Sequence, residues 1–438
     1  MGPREFQRLT STAGVTPTQY GRFSAGVRCR KLTLAHGRGI IGLLSGTKMT
    51  INKFAWRGGA LFAAAMFAGF VTPAGAATER VLYTFKGGSD GSFPNGLTVV
   101  GRTLYGTAPG YLGAQGYGTV FSIRPNGDFS VLYAFAGGGD GAFPEGNLLY
   151  VKDALFGTTE AGGSYGEGTV FSVTPSGSET VLHSFGGDDD GAYPANAGLL
   201  YIEDRIYGTT TAGGANCLGN NFGCGTVFSL KPGNGAESVL YSFLGTDGYA
   251  PSGRMEHIGS TIYGTTAEGG ASKSYDGTVY SLTLDGTEAV LHSFTGGSDG
   301  AEPVGGLTSL NGTLYGTASL GGKGYGTLFS ITPSGTFTVL YTFTGGADGG
   351  LPYGWLEKVK DKLYGTTVEG GAGKSGTVYS VTTGGAFKVL YAFKGGSDGA
   401  NPEAGPTHIV NNLYGTTYDG GSSACDGNGC GTVFLIKP

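Results

Sequence analysis

An all-β fold, a seven-bladed β-propeller of four-stranded antiparallel blades, is predicted by three observations. A motif recurs seven times at a spacing near fifty residues, glycine is abundant beside many aromatics, and the apolar runs lack helical periodicity. The motif reads VLYTFKGGSDGSFP from Val81 and returns at Val131, Val181, Val239, Val290, Val339 and Val389. Glycine supplies 89 of 438 residues, yet 39% of the chain is hydrophobic and 12% aromatic. That is too apolar for a disordered glycine-rich chain. Gly in quantity with aromatic and β-branched runs describes short strands joined by tight turns.

Each unit offers four strands, a to d. In the first unit they are GLTVV from Gly96, TLYGTA from Thr103, GTVFSI from Gly118 and FSVLYAF from Phe129. The a–b link is the short Gly101-Arg102. The c–d link is the hairpin Pro125-Asn126-Gly127, echoed by Pro175-Ser176-Gly177, Asp285-Gly286 and Pro333-Ser334-Gly335. Asn-Gly and Asp-Gly reach positive φ at little cost, which suits such hairpins. Strands c and d carry bulky groups on both faces, as in VLYTF and TVFSI, where a sheet wet on one side would alternate. Blades sandwiched between blades meet that condition. The aromatic ahead of Gly-Thr on strand b (Tyr105, Phe156, Tyr207, Tyr263, Tyr315, Tyr364, Tyr414) is read as packing between blades.

Counting strands gives the closure. A lone d strand, ERVLYTF from Glu79, precedes six complete sets, and the chain finishes with a, b and c only. The first d strand fits beside the last c strand, a 1+3 seam that leaves no open sheet edge. The propeller is therefore placed at 77–438.

The first 76 residues differ in character. From Met49, Lys53 and Arg57 form a positive region, Gly58 to Val71 an apolar run, and Ala74-Gly75-Ala76 a small-x-small cleavage site. This reads as a Sec-type signal peptide at 49–76, too short for a membrane span. Residues 1–48 are read as an over-extended or disordered N-terminal segment, with Met49 the expected start. Beyond residue 76 there remain 17 Lys and Arg against 31 Asp and Glu, a net charge of −14. An acidic chain without a basic stripe argues against nucleic acid as a partner. Cys217 with Cys224 and Cys425 with Cys430 form two local pairs in corresponding loops, read as disulfides of a secreted, periplasmic or cell-surface protein.

The units VL[YH]xF-GGxDG-x-x-P, LYGTT-x-x-GG and GT[VL][FY]S run from Val81 to Pro438. They resemble the choice-of-anchor tandem repeat of the GloVer type (Gloeo/Verruco repeat), a family of bacterial exported proteins. The resemblance implies export and a repeat architecture, and it brings no catalytic residues. Members often carry a C-terminal anchoring segment, and this chain stops at Pro438 without one. The kelch motif is a more distant relative in pattern.

Function is expected where the long d–a and b–c loops gather on one face and at the central funnel. The Asp before Gly in each d–a loop (Asp90, Asp140, Asp190, Asp247, Asp299, Asp348, Asp398) is read as turn chemistry. The alternative is Ca²⁺ held by the carboxylate-rich Asp188-Asp189-Asp190, with Asp188 and Asp190 as ligands; otherwise no cofactor is expected. Departures from the repeat mark one candidate ligand patch. Asn147, Arg254 and Trp355 stand where other copies have Gly, and Phe93, Phe143, Tyr193 and Glu302 precede the loop Pro. The aromatics would stack on a sugar ring while Arg254 and Glu302 orient it. Ordinary drift, with Trp355 plugging the channel, competes with this reading.

No catalytic set emerges. His183 and His292 occupy the Tyr slot of VL[YH]SF, His257 and His408 stand alone, and no H-E-x-x-H, G-x-S-x-G or P-loop pattern appears. The expectation is an exported, monomeric, non-catalytic propeller that binds an extracellular glycan or protein. A polysaccharide lyase or hydrolase with its site in the funnel is the first alternative, and a purely structural surface protein the second.

Overall fold

The computed structural model describes residues 77–438 apart from 111–115, 195–196, 215–216, 218–222 and 273. The N-terminal segment at 1–48 and the leader at 49–76 lie outside the described residues. The fold is a seven-bladed β-propeller, and in six of the seven blades spatial order follows chain order. Blade 1 comprises Leu97–Val100, Thr103–Ala108, Thr119–Ile123 and Phe129–Ala134. One sheet departs from four strands: Ala197–Gly198 adds a short parallel strand to the inner strand of blade 4, Tyr249–Ile258. In blade 7, Thr78–Thr84 lies antiparallel to Thr432–Lys437, with Thr78 opposite Lys437 and Thr84 opposite Thr432. Phe85 N then donates to Gly431 O at 3.0 Å.

The hydrophobic interior is not one core but seven, each between two neighbouring blades. Tyr105 of blade 1 packs with Leu148, Leu155 and Phe171 of blade 2, and Tyr414 of blade 7 with Leu97, Leu104 and Phe121 of blade 1. The Phe that ends each VLYxF motif is buried and meets the c-strand aromatic of the next blade. Phe85 faces Phe121 at 5.3 Å, Phe185 faces Phe228 at 5.1 Å and Phe393 faces Phe434 at 5.1 Å. Edge-on aromatic pairs at this distance add to the area they bury.

The c strands are buried on both faces, as their lack of alternation requires. The d strands differ from expectation: they are half-buried, and Val131 and Val290 stay exposed. They lie at the perimeter, where radially arranged blades splay apart and cannot cover both faces.

Candidate functional site at the loop face and axis

Each d–a loop is tied to its own outer strand by one repeated device. The loop Asp accepts from the backbone N–H four residues earlier, or three in Asp247, at 2.7–3.0 Å in all seven copies. It also accepts from the Tyr hydroxyl of its own outer strand at 2.6–3.1 Å in five blades. His183 and His292 replace that Tyr and reach Asp190 and Asp299 at 3.1 and 3.2 Å. The Gly after the Asp cannot be replaced cheaply. Gly91 has φ +87, and a Cβ there would lie 2.7 Å from both Ala108 Cβ and Thr119 Oγ1.

The residue before the loop Pro adopts the left-handed conformation in every blade. Phe93, Phe143, Tyr193, Ala250, Glu302, Leu351 and Asn401 have φ between 52° and 59°. Such a backbone is unfavourable for these residues. Each is held by its N–H, which donates at 2.8–3.0 Å to a b–c loop carbonyl of the blade before. In two blades that carbonyl belongs to a disulfide cysteine, Cys430 for Phe93 and Cys224 for Ala250. Cys217–Cys224 and Cys425–Cys430 form disulfides with Cα atoms 5.4 Å apart in both.

The residues singled out by the sequence therefore fall into two groups. The first is the set before the Pro. Phe93 is buried and stacks on Tyr418 at 4.4 Å, so its ring is spent on packing. Phe143 is half-buried beside Tyr117, with ring centroids 6.2 Å apart, and Tyr193 is exposed and bonded to Glu167. Burial pushes the Glu302 carboxyl up to about 7, helped by the charges of Glu268 and Asp276. Tyr353, in the same acidic neighbourhood, is pushed up to about 12 by burial and by Glu302, Glu403 and Glu369.

The second group surrounds the axis at the top of the inner strands. Equivalent positions hold Gly96, Asn147, Gly198, Arg254, Gly306, Trp355 and Gly405. The glycines let backbones approach closely: a Cβ on Gly306 would lie 2.2 Å from Arg254 N, and one on Gly405 2.1 Å from Trp355 O. A Cβ on Gly96 would lie 2.0 Å from Trp355 Cη2 and 2.0 Å from Asn147 Oδ1. The indole of blade 6 thus reaches blade 1 beside the Asn147 amide of blade 2. Asn147 Oδ1 is buried without a hydrogen-bond partner. Arg254 is exposed.

Glu357, two residues beyond Trp355, was not singled out by the sequence reading. Burial pushes its carboxyl up to about 7, while Arg254, the backbone N–H of His408 and Lys358 pull it down. Its counterpart in blade 4, Glu256, accepts from Ser309 N at 3.0 Å. The signal for both was in the sequence: they are the two acids among residues otherwise Thr or Leu at that inner-strand position. Among the described residues, the one group that gathers His and carboxylates at metal-binding distance is His183, Asp190 and Glu237. It contains Asp190 but not Asp188, whose side chain is exposed in the Asp188–Asp190 turn.

The sequence model of a family described as the Gloeobacter/Verrucomicrobia repeat matches residues 49–222 and 218–434. No curated protein matches the chain. Among solved structures, an oligogalacturonate lyase from Vibrio parahaemolyticus is similar with a TM-score of 0.52 and 12% identity, over 82% of this chain and 93% of that one. The PQQ-bound aldose sugar dehydrogenase of Streptomyces coelicolor gives a TM-score of 0.44 and 15% identity, over 82% of this chain and 98% of that one. A puromycin hydrolase gives 0.47 and 12%, over 75% of this chain and 50% of that one. The expectation of a non-catalytic binding module is corrected here: the oligogalacturonate lyase has the same fold, so this fold accommodates catalysis. The premise of that expectation was the scarcity of His and the lack of a linear motif. A propeller collects site residues from different blades around one axis, so neither observation excludes catalysis. At identities of 12–15% the likeness shows the fold alone and assigns no reaction.

Proposed function

The chain belongs to the Gloeobacter/Verrucomicrobia repeat family, and from that premise we propose that this member is an exported polysaccharide-acting enzyme, a lyase or hydrolase, with its site at the axis of the loop face. The observation that carries the reading is the placement of Arg254, on the inner strand of blade 4, with its charge reaching Glu357 on the inner strand of blade 6, two residues beyond Trp355. An indole offers a platform for a sugar ring. An exposed guanidinium pairs with a carboxylate in a fixed fork. A carboxyl titrating at about 7 is matched to proton transfer at neutral pH.

These roles fit elimination on an acidic polysaccharide. Arg254 would neutralise the uronate carboxylate and so acidify the neighbouring C–H, and Glu357 as carboxylate would take that proton. The electron pair left on carbon becomes the double bond of the product and expels the glycosidic oxygen, which takes a proton from water. Support for uronates over neutral glycans comes from Arg254, whose charge acts on Glu357 more strongly than that of Lys358. The oligogalacturonate lyase shares the fold and, by its description, acts on such a substrate. Export through the leader at 49–76 belongs to the same reading, and two disulfides fit an oxidising compartment.

The test is a panel of acidic and neutral polysaccharides, scored for reducing ends and for the ultraviolet absorbance of an unsaturated uronate. Turnover of an acidic member is expected, falling at least about 100-fold in Arg254→Ala and Glu357→Gln. Failure to turn over any glycan, or turnover untouched by both substitutions, would defeat the proposal.

A further inference from the structure

Neighbouring outer strands meet in seven seams, each built from three parts: a Tyr or His, the loop Asp it bonds, and the residue two before the next VL pair. In three seams that residue is Phe and stacks on the ring. Phe129 lies 3.8 Å from Tyr83, Phe337 3.8 Å from His292 and Phe387 4.1 Å from Tyr341. In the other four it is Glu79, Glu179, Glu237 or Glu288, and each of these has Oε1 buried without a partner.

One seam alone combines Glu with His. Between blades 2 and 3, ligand atoms of His183, Asp190 and Glu237 all lie within 4.8 Å of one another. We propose that this triad is a divalent-metal site of the zinc class that pins blade 2 to blade 3. One imidazole and two carboxylates are a common donor set for zinc and supply the charge that balances a dication. Calcium takes six to eight oxygens and is not served by an imidazole nitrogen. His183 Nε2 stands 3.1 Å from Asp190 Oδ1, close to the edge of about 3.4 Å between ligands of a tetrahedral zinc. Asp190 Oδ2 is fixed by Gly186 N at 2.7 Å, which orients the carboxylate and leaves Oδ1 for the ion. The buried, unpartnered Glu237 Oε1 gains the partner it lacks. The remaining position opens to solvent, since the side chains of His183 and Asp190 keep 20% and 30% exposure.

The other seams serve as internal controls. His292 and Asp299 face Phe337 and lack the third ligand, while Asp140 and Glu179 face Tyr133 and lack the imidazole. The protein already tolerates Tyr in the His slot and Phe in the Glu slot, so His183→Tyr and Glu237→Phe should both fold. The experiment titrates the purified full chain with Zn²⁺ by calorimetry and with Co²⁺ by visible absorbance, and follows thermal unfolding with each metal and with chelator. One high-affinity equivalent, Co²⁺ bands of a low-coordinate site and a raised Tm are expected. His183→Tyr and Glu237→Phe should each weaken binding at least about tenfold and remove the metal-dependent rise in Tm, while His292→Tyr leaves both intact. No Zn²⁺ uptake by the unmodified chain, preference for Ca²⁺, or undiminished binding in folded His183→Tyr overturns the assignment.

Discussion

Replacing Glu179 with Gln should leave stability unchanged in acid and raise it in mild alkali. Burial, the Asp140 charge beside it and a weaker opposing bond from Tyr133 set the Glu179 carboxyl at about 7, against an ordinary 4.5. The folded state therefore holds a proton that the unfolded state releases above about pH 4.5. That contribution is complete below pH 4.5 and is lost as pH rises through 7. For a fully buried carboxyl such a difference corresponds to about 3 kcal/mol. Glu179 is only half-buried, and screening by solvent reduces this to about 1 kcal/mol. Glutamine keeps the shape and cannot ionise. Urea unfolding at pH 5 and at pH 8.5 should give equal ΔG for parent and variant in acid and a variant more stable by about 1 kcal/mol in alkali. Glu79 and Glu288 sit at about 7 for the same leading reason, burial, beside Asp398 and Asp247. Being far apart in the ring, the three substitutions should add to about 3 kcal/mol. A Gln variant that shifts ΔG equally at both pH values would refute the reasoning, because the effect would then be packing and not charge.

Removing Glu79–Phe85 strips the outer strand from blade 7 and exposes the edge of Thr432–Lys437. Cooperative unfolding should be lost, and Phe85→Ala alone should cost about 3–5 kcal/mol because Phe85 is fully buried against Phe121; calorimetry that finds the truncated chain as stable as its parent would contradict this. Gly96→Ala drives a methyl into the Trp355 ring and should cost about 1–3 kcal/mol. Adding Trp355→Ala should recover part of that loss in a double-mutant cycle, and simple additivity would show that the indole does not lie where it is described.

Much of the ring was legible in the chain itself because each blade repeats one set of local rules. The Tyr or His of the VL[YH]SF slot and the Asp seven residues on, or six in blade 3, could be recognised as packing and turn chemistry, and they meet in all seven copies. The inter-blade role of Tyr105 and its equivalents followed from bulky groups on both strand faces. The candidate site was less legible. Trp355, Arg254 and Asn147 stand out as departures from Gly, but the Phe93 ring, expected to stack on a sugar, lies buried on Tyr418. Glu357 and the Glu at four outer seams escaped notice, since a single acid in a strand carries no sign of what the next blade sets against it.

Repetition, glycine placement and apolar runs on both strand faces were enough to determine the number of blades, their strand order and the Asp-Gly turn chemistry of the d–a loops. Those are properties of a local unit, and the unit is copied. Which carboxyls are buried, which aromatics are left to face a ligand, and that His183 and Glu237 share one seam were decided only by assembly. They arise between residues about fifty positions apart, whose neighbours are chosen by the closing of the ring and not by the chain that precedes or follows them.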